Sequence, residues 1–268
     1  MMTMQADRYG TVDFRRMFYW SGEKWVETDR WAVLFRPAAE DAFHDVGVVS
    51  DKFTPVLHSQ VFDPVEEYLE QNFNGVNLLK AWTARHGAMR RHYYLLASGA
   101  DGEPTSVEIV GEKLYPILEV QNALCGTLAV KVALGFWRYA CANGLMLGRV
   151  LKRLGIPPLR LVHRGAEGQF AIEGALQMQQ IREVGYKLFP QLMRAAVSQE
   201  DANKEFEALP KKSRMEYMLQ ERLEMKDLRK VWVLLNMITW IATHRASFHT
   251  SAILQNRATA LVEQVLWQ

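Results

Sequence analysis

Between Val76 and Ser98 the cations Lys80, Arg85, Arg90 and Arg91 are interleaved with Trp82, His86, His92, Tyr93 and Tyr94, and no acid interrupts them. Ammonium and guanidinium groups follow a phosphate backbone by charge. Aromatic faces stack unpaired bases, at about 1–3 kcal/mol per base, so the stretch has the chemistry of a single-strand binding surface. It also has the composition of a half-buried hairpin whose arginines reach past apolar neighbours to water. Period-two alternation puts Lys80, Trp82 and His86 on one face of the first strand and Arg85 on the other. In the second strand it sets Arg91 and Tyr93 opposite Arg90, His92 and Tyr94.

A second signal lies downstream. From Val120 to Ala166 there is no Asp or Glu, while Lys131, Arg138, Arg149, Lys152, Arg153, Arg160 and Arg164 carry fixed positive charge. Arg149, Lys152 and Arg153 are spaced three and four apart, so on a helix they share one face, where phosphate contact or plain solvation would suit them. The total charge is only +2. Residues 1–75 hold 13 acids against 7 bases, residues 76–196 hold 8 against 15, and residues 197–268 hold 9 against 10. The middle third is therefore where a polyanion belongs, and the acidic first third suits a protein partner or a neighbouring subunit.

Signatures of ordinary catalysis are missing. The sequence has no phosphate loop, dinucleotide fingerprint, nucleophile elbow, His-Glu-x-x-His run or paired-cysteine zinc spacing. No catalytic residue, metal ligand or cofactor is expected. His244 and His249 read as surface or capping residues, Cys125 and Cys141 as buried free thiols, and Glu66-Glu67 as acids that complement the start of a helix.

Positioning these residues requires elements. Arg15 to Trp20, Trp25 to Val26 and Trp31 to Arg36 are aromatic or β-branched, with a turn at Ser21-Gly22, so the chain opens as a β-meander. Val46 to Val49 and Thr54 to Leu57 continue the extended pattern. Asp63-Pro64 predicts a helix over 65–73, capped by Asp63. Val76 to Arg85 and Ala88 to Ala97 predict a long hairpin about His86-Gly87. Val107 to Val110, Ile117 to Gln121 and Thr127 to Leu134 are further extended pieces, and a helix is expected over 145–154, ending at Gly155-Ile156-Pro157-Pro158. From Gln169 the period is helical, with breaks near Pro190, Ser198, Pro210 and Ser247. The fold class is α+β: N-terminal and central antiparallel sheet and hairpins with interspersed helices, then a helical C-terminal third. Parts 1–165 and 166–268 are expected to form one continuous body, with the boundary near Gly165. With 268 residues and 49% hydrophobic content the chain can bury a large core. It has no apolar run long enough to span a bilayer and no leader-like start, so a cytoplasmic protein is expected.

The segment VVSDKF at Val48 to Phe53, the Arg138-x-x-Cys141-x-Asn143-Gly144-Leu145 block, His163-Arg164 and the late Val233 to Thr239 run before His244 together resemble phage and plasmid-like proteins grouped as domain of unknown function 932. The resemblance spans residues 30–250 and implies a mobile-element origin rather than a reaction. Where that family has a polar Asp-Gly segment before the cysteine block, this chain has Asn122-Ala123-Leu124-Cys125-Gly126. The order of helix, hairpin, strands and helix is also similar to the core of single-strand annealing proteins of the RecT and Red-beta kind, which implies a basic groove holding unpaired DNA.

The expectation is thus a non-enzymatic protein that binds single-stranded DNA in annealing or protection, assembles as a homo-oligomer and does not enter membranes. Lys80, Arg85, Arg90, Arg91, Arg138, Arg149, Lys152 and Arg153 would meet phosphates, with Trp82, Tyr93 and Tyr94 meeting bases. The alternatives are an anti-defence factor that binds a host protein and, third, a metal-dependent nuclease.

Overall fold

Alternating aromatic and β-branched residues make the first fifty positions a sheet in the computed structural model, which describes residues 4–99, 102, 104–109, 112–138, 143–146, 150, 153, 159–161 and 178–267. Strands β1 (Gln5–Asp7), β2 (Gly10–Trp20), β3 (Trp25–Pro37) and β4 (His44–Ser50) form a four-stranded antiparallel sheet in that order. Register pairs Val12 with Phe35 and Phe14 with Val33, then slips between Arg16 and Phe18. Val12, Phe14, Val33, Phe35, Val46 and Val49 pack on Met89 of a second sheet and on Ala88, Leu124 and Cys125 in the turns at its end. Beyond the slip the β2–β3 ribbon leaves that core, and its tip stands in solvent.

Helix α1 runs His58–Asn72, starting about two turns before the expected residue 65. Gln60 Oε1 accepts the Leu57 backbone N–H at 2.7 Å and opens the helix, so Pro64 lies inside it. Proline there forfeits one helical bond. Burial of Val61, Phe62, Val65 and Leu69 outweighs that loss, each such side chain contributing about 1.5–3 kcal/mol. Glu66 and Glu67 consequently sit mid-helix and do not meet the N-terminal dipole.

The second sheet contains β5 (Phe73–Ala84), β6 (Met89–Gly99), β7 (Val107–Ile109), β8 (Glu112–Ala123), β9 (Val130–Arg138), β10 (Asn143–Met146) and β11 (Leu159–Leu161). Its order is β10-β9-β8-β6-β5, with β11 also on β9 and β7 on β8. The hairpin expected about His86-Gly87 is present, its tip a short 3-10 turn at Arg85–Gly87. The helix expected over 145–154 instead begins as a strand, because Gly144, Leu145 and Met146 pair with Trp137, Phe136 and Gly135. A Cβ at Gly135 would overlap the Leu145 carbonyl oxygen and lie 2.8 Å from Met146 Sδ, so the close approach of β10 needs glycine there. Val150 and Arg153 are helical. Arg149, Lys152, Cys141, His163, Arg164 and the boundary near Gly165 lie outside the described residues.

The C-terminal third is helical: α2 (Met178–Arg194), α3 (Gln199–Glu207), α4 (Lys211–Gln220), α5 (Val231–His244) and α6 (Phe248–Leu266). Ser198 and Ser247 cap α3 and α6, accepting from Asp201 N at 3.0 Å and Thr250 N at 3.3 Å. Pro190, expected as a break, lies within α2, on a turn whose Tyr186 is exposed to water. Helix α5 is buried on nearly every side and is the central rod. One core joins Phe62 and Leu69 of α1, Leu118, Val132 and Phe136 of the sheet, and Phe189, Leu235, Ile238 and Leu261 of the later helices. No helix among the described residues is long and apolar enough to cross a membrane.

Candidate functional site

The alternation read from the sequence holds across β5 and β6: Trp82 pairs with Arg91 and Lys80 with Tyr93, while Arg90, His92 and Tyr94 occupy the opposite face. The two faces do different work, and both draw their cations inward. Arg91 is 1% exposed, its Nε 3.2 Å from Glu119 Oε1, with Lys131 Nζ 3.0 Å from the other carboxylate oxygen. Burial acts to raise the Glu119 carboxyl, but Lys131 and Arg91 outweigh it and hold the group below the usual carboxylate range. Tyr93 is buried beside the same carboxylate, and burial pushes its phenol up. Lys80 donates to the Thr243 carbonyl of α5 and lies 4.3 Å from the Trp82 ring centre, and burial pulls its ammonium down.

Across the sheet, Arg90 lies over the Tyr9 ring at 4.7 Å, with burial lowering its guanidinium. Tyr94 Oη donates to Glu66 Oε1 at 2.7 Å, and His92 Nδ1 is 2.9 Å from the same hydroxyl oxygen. Arg8 donates to Glu66 and pairs with Asp63 at 2.8 Å, which ties the first strand to α1. His58 is fully buried. A carbonyl can only accept, so His58 Nε2–H donates to Gly87 O at 3.0 Å, and Asn122 Nδ2 donates to the free Nδ1 at 3.2 Å. Burial pushes His58 down to about 3 and His92 to about 4, so both rings are neutral near pH 7. With both nitrogens of His58 engaged, this network holds three elements together.

Arg85 is exposed, yet its Nη1 donates to Val46 O of β4. Arg138 is bound to Glu112 and lies 6.0 Å from the Trp232 ring, above a small cavity between β9 and α5. Arg153 stacks on Trp267 at 4.5 Å. Among the described residues, the expected site residues therefore do not converge on an open strip. Arg91, Tyr93 and Tyr94 are interior groups because β6 is covered on both faces, whereas the edge strand β5 is open along much of its length. Within the acid-free stretch, Lys131 and Arg138 are neutralised by Glu119 and Glu112 of neighbouring strand β8.

Open aromatic surface lies elsewhere. At the tip of the β2–β3 ribbon, Phe18, Tyr19, Trp20 and Trp25 are 53%, 54%, 54% and 68% exposed. Trp20 and Trp25 pair across the strands, ring centres 5.5 Å apart and edge to face, flanking a turn closed by Ser21 N to Lys24 O at 3.0 Å. Arg15 and Arg30 stand exposed along the ribbon, and Arg16 pairs with Glu27 over the Trp31 ring. Sequence reasoning assigned these strands but did not single out their exposed rings. The signal was Phe18-Tyr19-Trp20 itself, since three successive rings in a strand must point to both faces and only one face meets a core.

A second group went unread: Glu40, His44 and His86 bring their ligand atoms within 4.8 Å of one another. His44 and His86 stack with ring centres 3.8 Å apart, and His44 Nε2 lies 2.6 Å from Glu40 Oε2.

The family model described as Domain of unknown function (DUF932) matches residues 45–267 of this chain, leaving β1 to β3 outside the match. No curated protein and no solved structure matches it.

Proposed function

We propose that this chain, which belongs to the DUF932 family, binds single-stranded nucleic acid through the projecting β2–β3 ribbon. The observation that carries this reading is the set of four exposed rings at the ribbon tip, with Arg15, Lys24 and Arg30 beside them. Aromatic faces accept any unpaired base, and adjacent cations follow its phosphates, whereas the bases of a closed duplex offer no free face. The reading keeps the expected ligand and moves the contact away from β5–β6, whose cations are engaged internally. Single-strand annealing or protection is the role that such binding would serve.

Fluorescence anisotropy with matched single-stranded and duplex oligonucleotides across a salt series tests the reading. Salt-sensitive preference for single strands is expected. Trp25→Ala is expected to weaken binding by about 5- to 100-fold, the equivalent of one stacked base, without lowering the melting temperature, because the ring touches no core. Absence of binding at low salt removes the proposal. A second reading has the rings covered by another copy of the chain, favoured by the mixture of Glu23, Glu27 and Asp29 with the ribbon's arginines. In that case sedimentation shows a dimer that Trp25→Ala dissociates.

A further inference from the structure

We propose that Glu40, His44 and His86 form a divalent-cation site that clips the N-terminal sheet to the tip of the β5–β6 hairpin. Glu40 precedes β4, His44 opens it, and His86 stands on the turn of the other sheet, so the three ligands come from two separately folded ribbons. Two imidazoles and one carboxylate are the donor set of borderline ions such as Zn2+, which take three protein ligands at about 2.0–2.2 Å and leave a fourth position to water. Exposure of Glu40 and His86 allows that water.

The geometry is one short adjustment from ligation. Ligand atoms on a tetrahedral zinc lie about 3.3 Å apart, given those bond lengths, against the 4.8 Å that encloses them here. Stacked rings cannot both aim in-plane lone pairs at one ion, so His86 must rotate off His44, and its exposed side chain is free to turn. For the ion to bind, the proton that His44 Nε2 now donates to Glu40 moves to Nδ1, and the neutral ring then offers its Nε2 lone pair to the metal.

The turn fixes where His86 stands. Arg85 and His86 have φ of 49° and 55°, left-handed values that non-glycine residues adopt only at a cost. The strained turn is held against β4 by the Arg85 bond to Val46 O, which brings His86 over His44.

Titration of the full chain with ZnCl2, followed by calorimetry and thermal unfolding, tests the site. One equivalent is expected to bind and to raise the melting temperature, since an ion held only by the folded state stabilises it. His86→Gly removes the ligand and relieves the strain, so its metal-free melting temperature should not fall, while its affinity for zinc drops at least tenfold. His44→Ala should lose the same affinity. No saturable binding in the parent, or a loss below tenfold in His86→Gly, overturns the proposal.

Discussion

Arg91, Glu119 and Lys131 form a charged triad within the second sheet, and its energetics are unequal in the two directions. Assembling it offsets a large desolvation cost, but removing one member strands the others. Glu119→Gln is expected to lower stability by about 3–5 kcal/mol, because Arg91 is left buried without its counter-charge; urea unfolding measures it. Replacing Arg91 and Glu119 together by Met and Leu should recover most of that loss, and failure to do so would mean the triad specifies the strand register as well. The buried imidazoles set an acid limit. His58 and His92 are neutral in the folded protein, at about 3 and about 4, while an unfolded imidazole titrates at about 6.5. Below that value the unfolded chain takes up more protons, so stability that is full above it falls with pH, by up to about 1.4 kcal/mol per unit for each ring. The loss continues until the folded values are passed. Urea unfolding compared at roughly pH 7 and pH 5 should show the decline, and His92→Phe should reduce its slope by about one proton.

At the level of elements, the edge of the second sheet is closed by side chains rather than by another strand. Gln255 of α6 donates to Gly144 O at 2.7 Å and accepts from Met146 N at 3.1 Å, so its amide takes the place of a neighbouring strand. Thr259 Oγ1 donates to Met146 O at 2.7 Å, and Thr243 Oγ1 meets Gly144 N. An uncovered edge pairs with other chains. Gln255→Leu is expected to cost roughly 1–3 kcal/mol for each backbone group it strands, and to promote aggregation on heating, read by light scattering. The same contacts account for the described ends of the Arg138 to Leu145 block: Arg138 pairs with Asn143 across the end of the β9–β10 hairpin, and a Cβ at Gly144 would lie 3.1 Å from Ile117 Cδ1. Gly144, at its described end, and Met146 just beyond it build a closed edge. Helix α1 teaches a related lesson, since Asp63-Pro64 has the pattern of a helix start, yet burial of Val61 and Phe62 carries the helix back through the proline.

For the whole molecule, two sheets meet through α1 and the hairpin tip, and thirteen residues of the β2–β3 ribbon, Phe18 to Arg30, extend beyond the slip in register. Removing that tip and joining the strands with a short turn should leave the melting temperature unchanged and abolish nucleic-acid binding. Loss of folding instead would show that the ribbon is covered in the native assembly. The α+β class, the meander, the hairpin about His86-Gly87, its two faces, and the helix breaks near Ser198 and Ser247 were legible in the sequence, because each follows from local periodicity or turn chemistry. The DUF932 membership was legible from short motifs. What only the tertiary structure decided is which charges remain available. A run without acids looks one-sided along the chain, but β8 lies beside β6 and β9, and Glu119 and Glu112 meet Arg91, Lys131 and Arg138 in space. Alternation likewise told which residues share a face, but not that both faces of β6 are covered, nor that Glu40 and His44 come to rest beside His86. Periodicity is a property of neighbours along the backbone, whereas pairing of charges and convergence of ligands depend on distances across strands that a linear sequence does not contain.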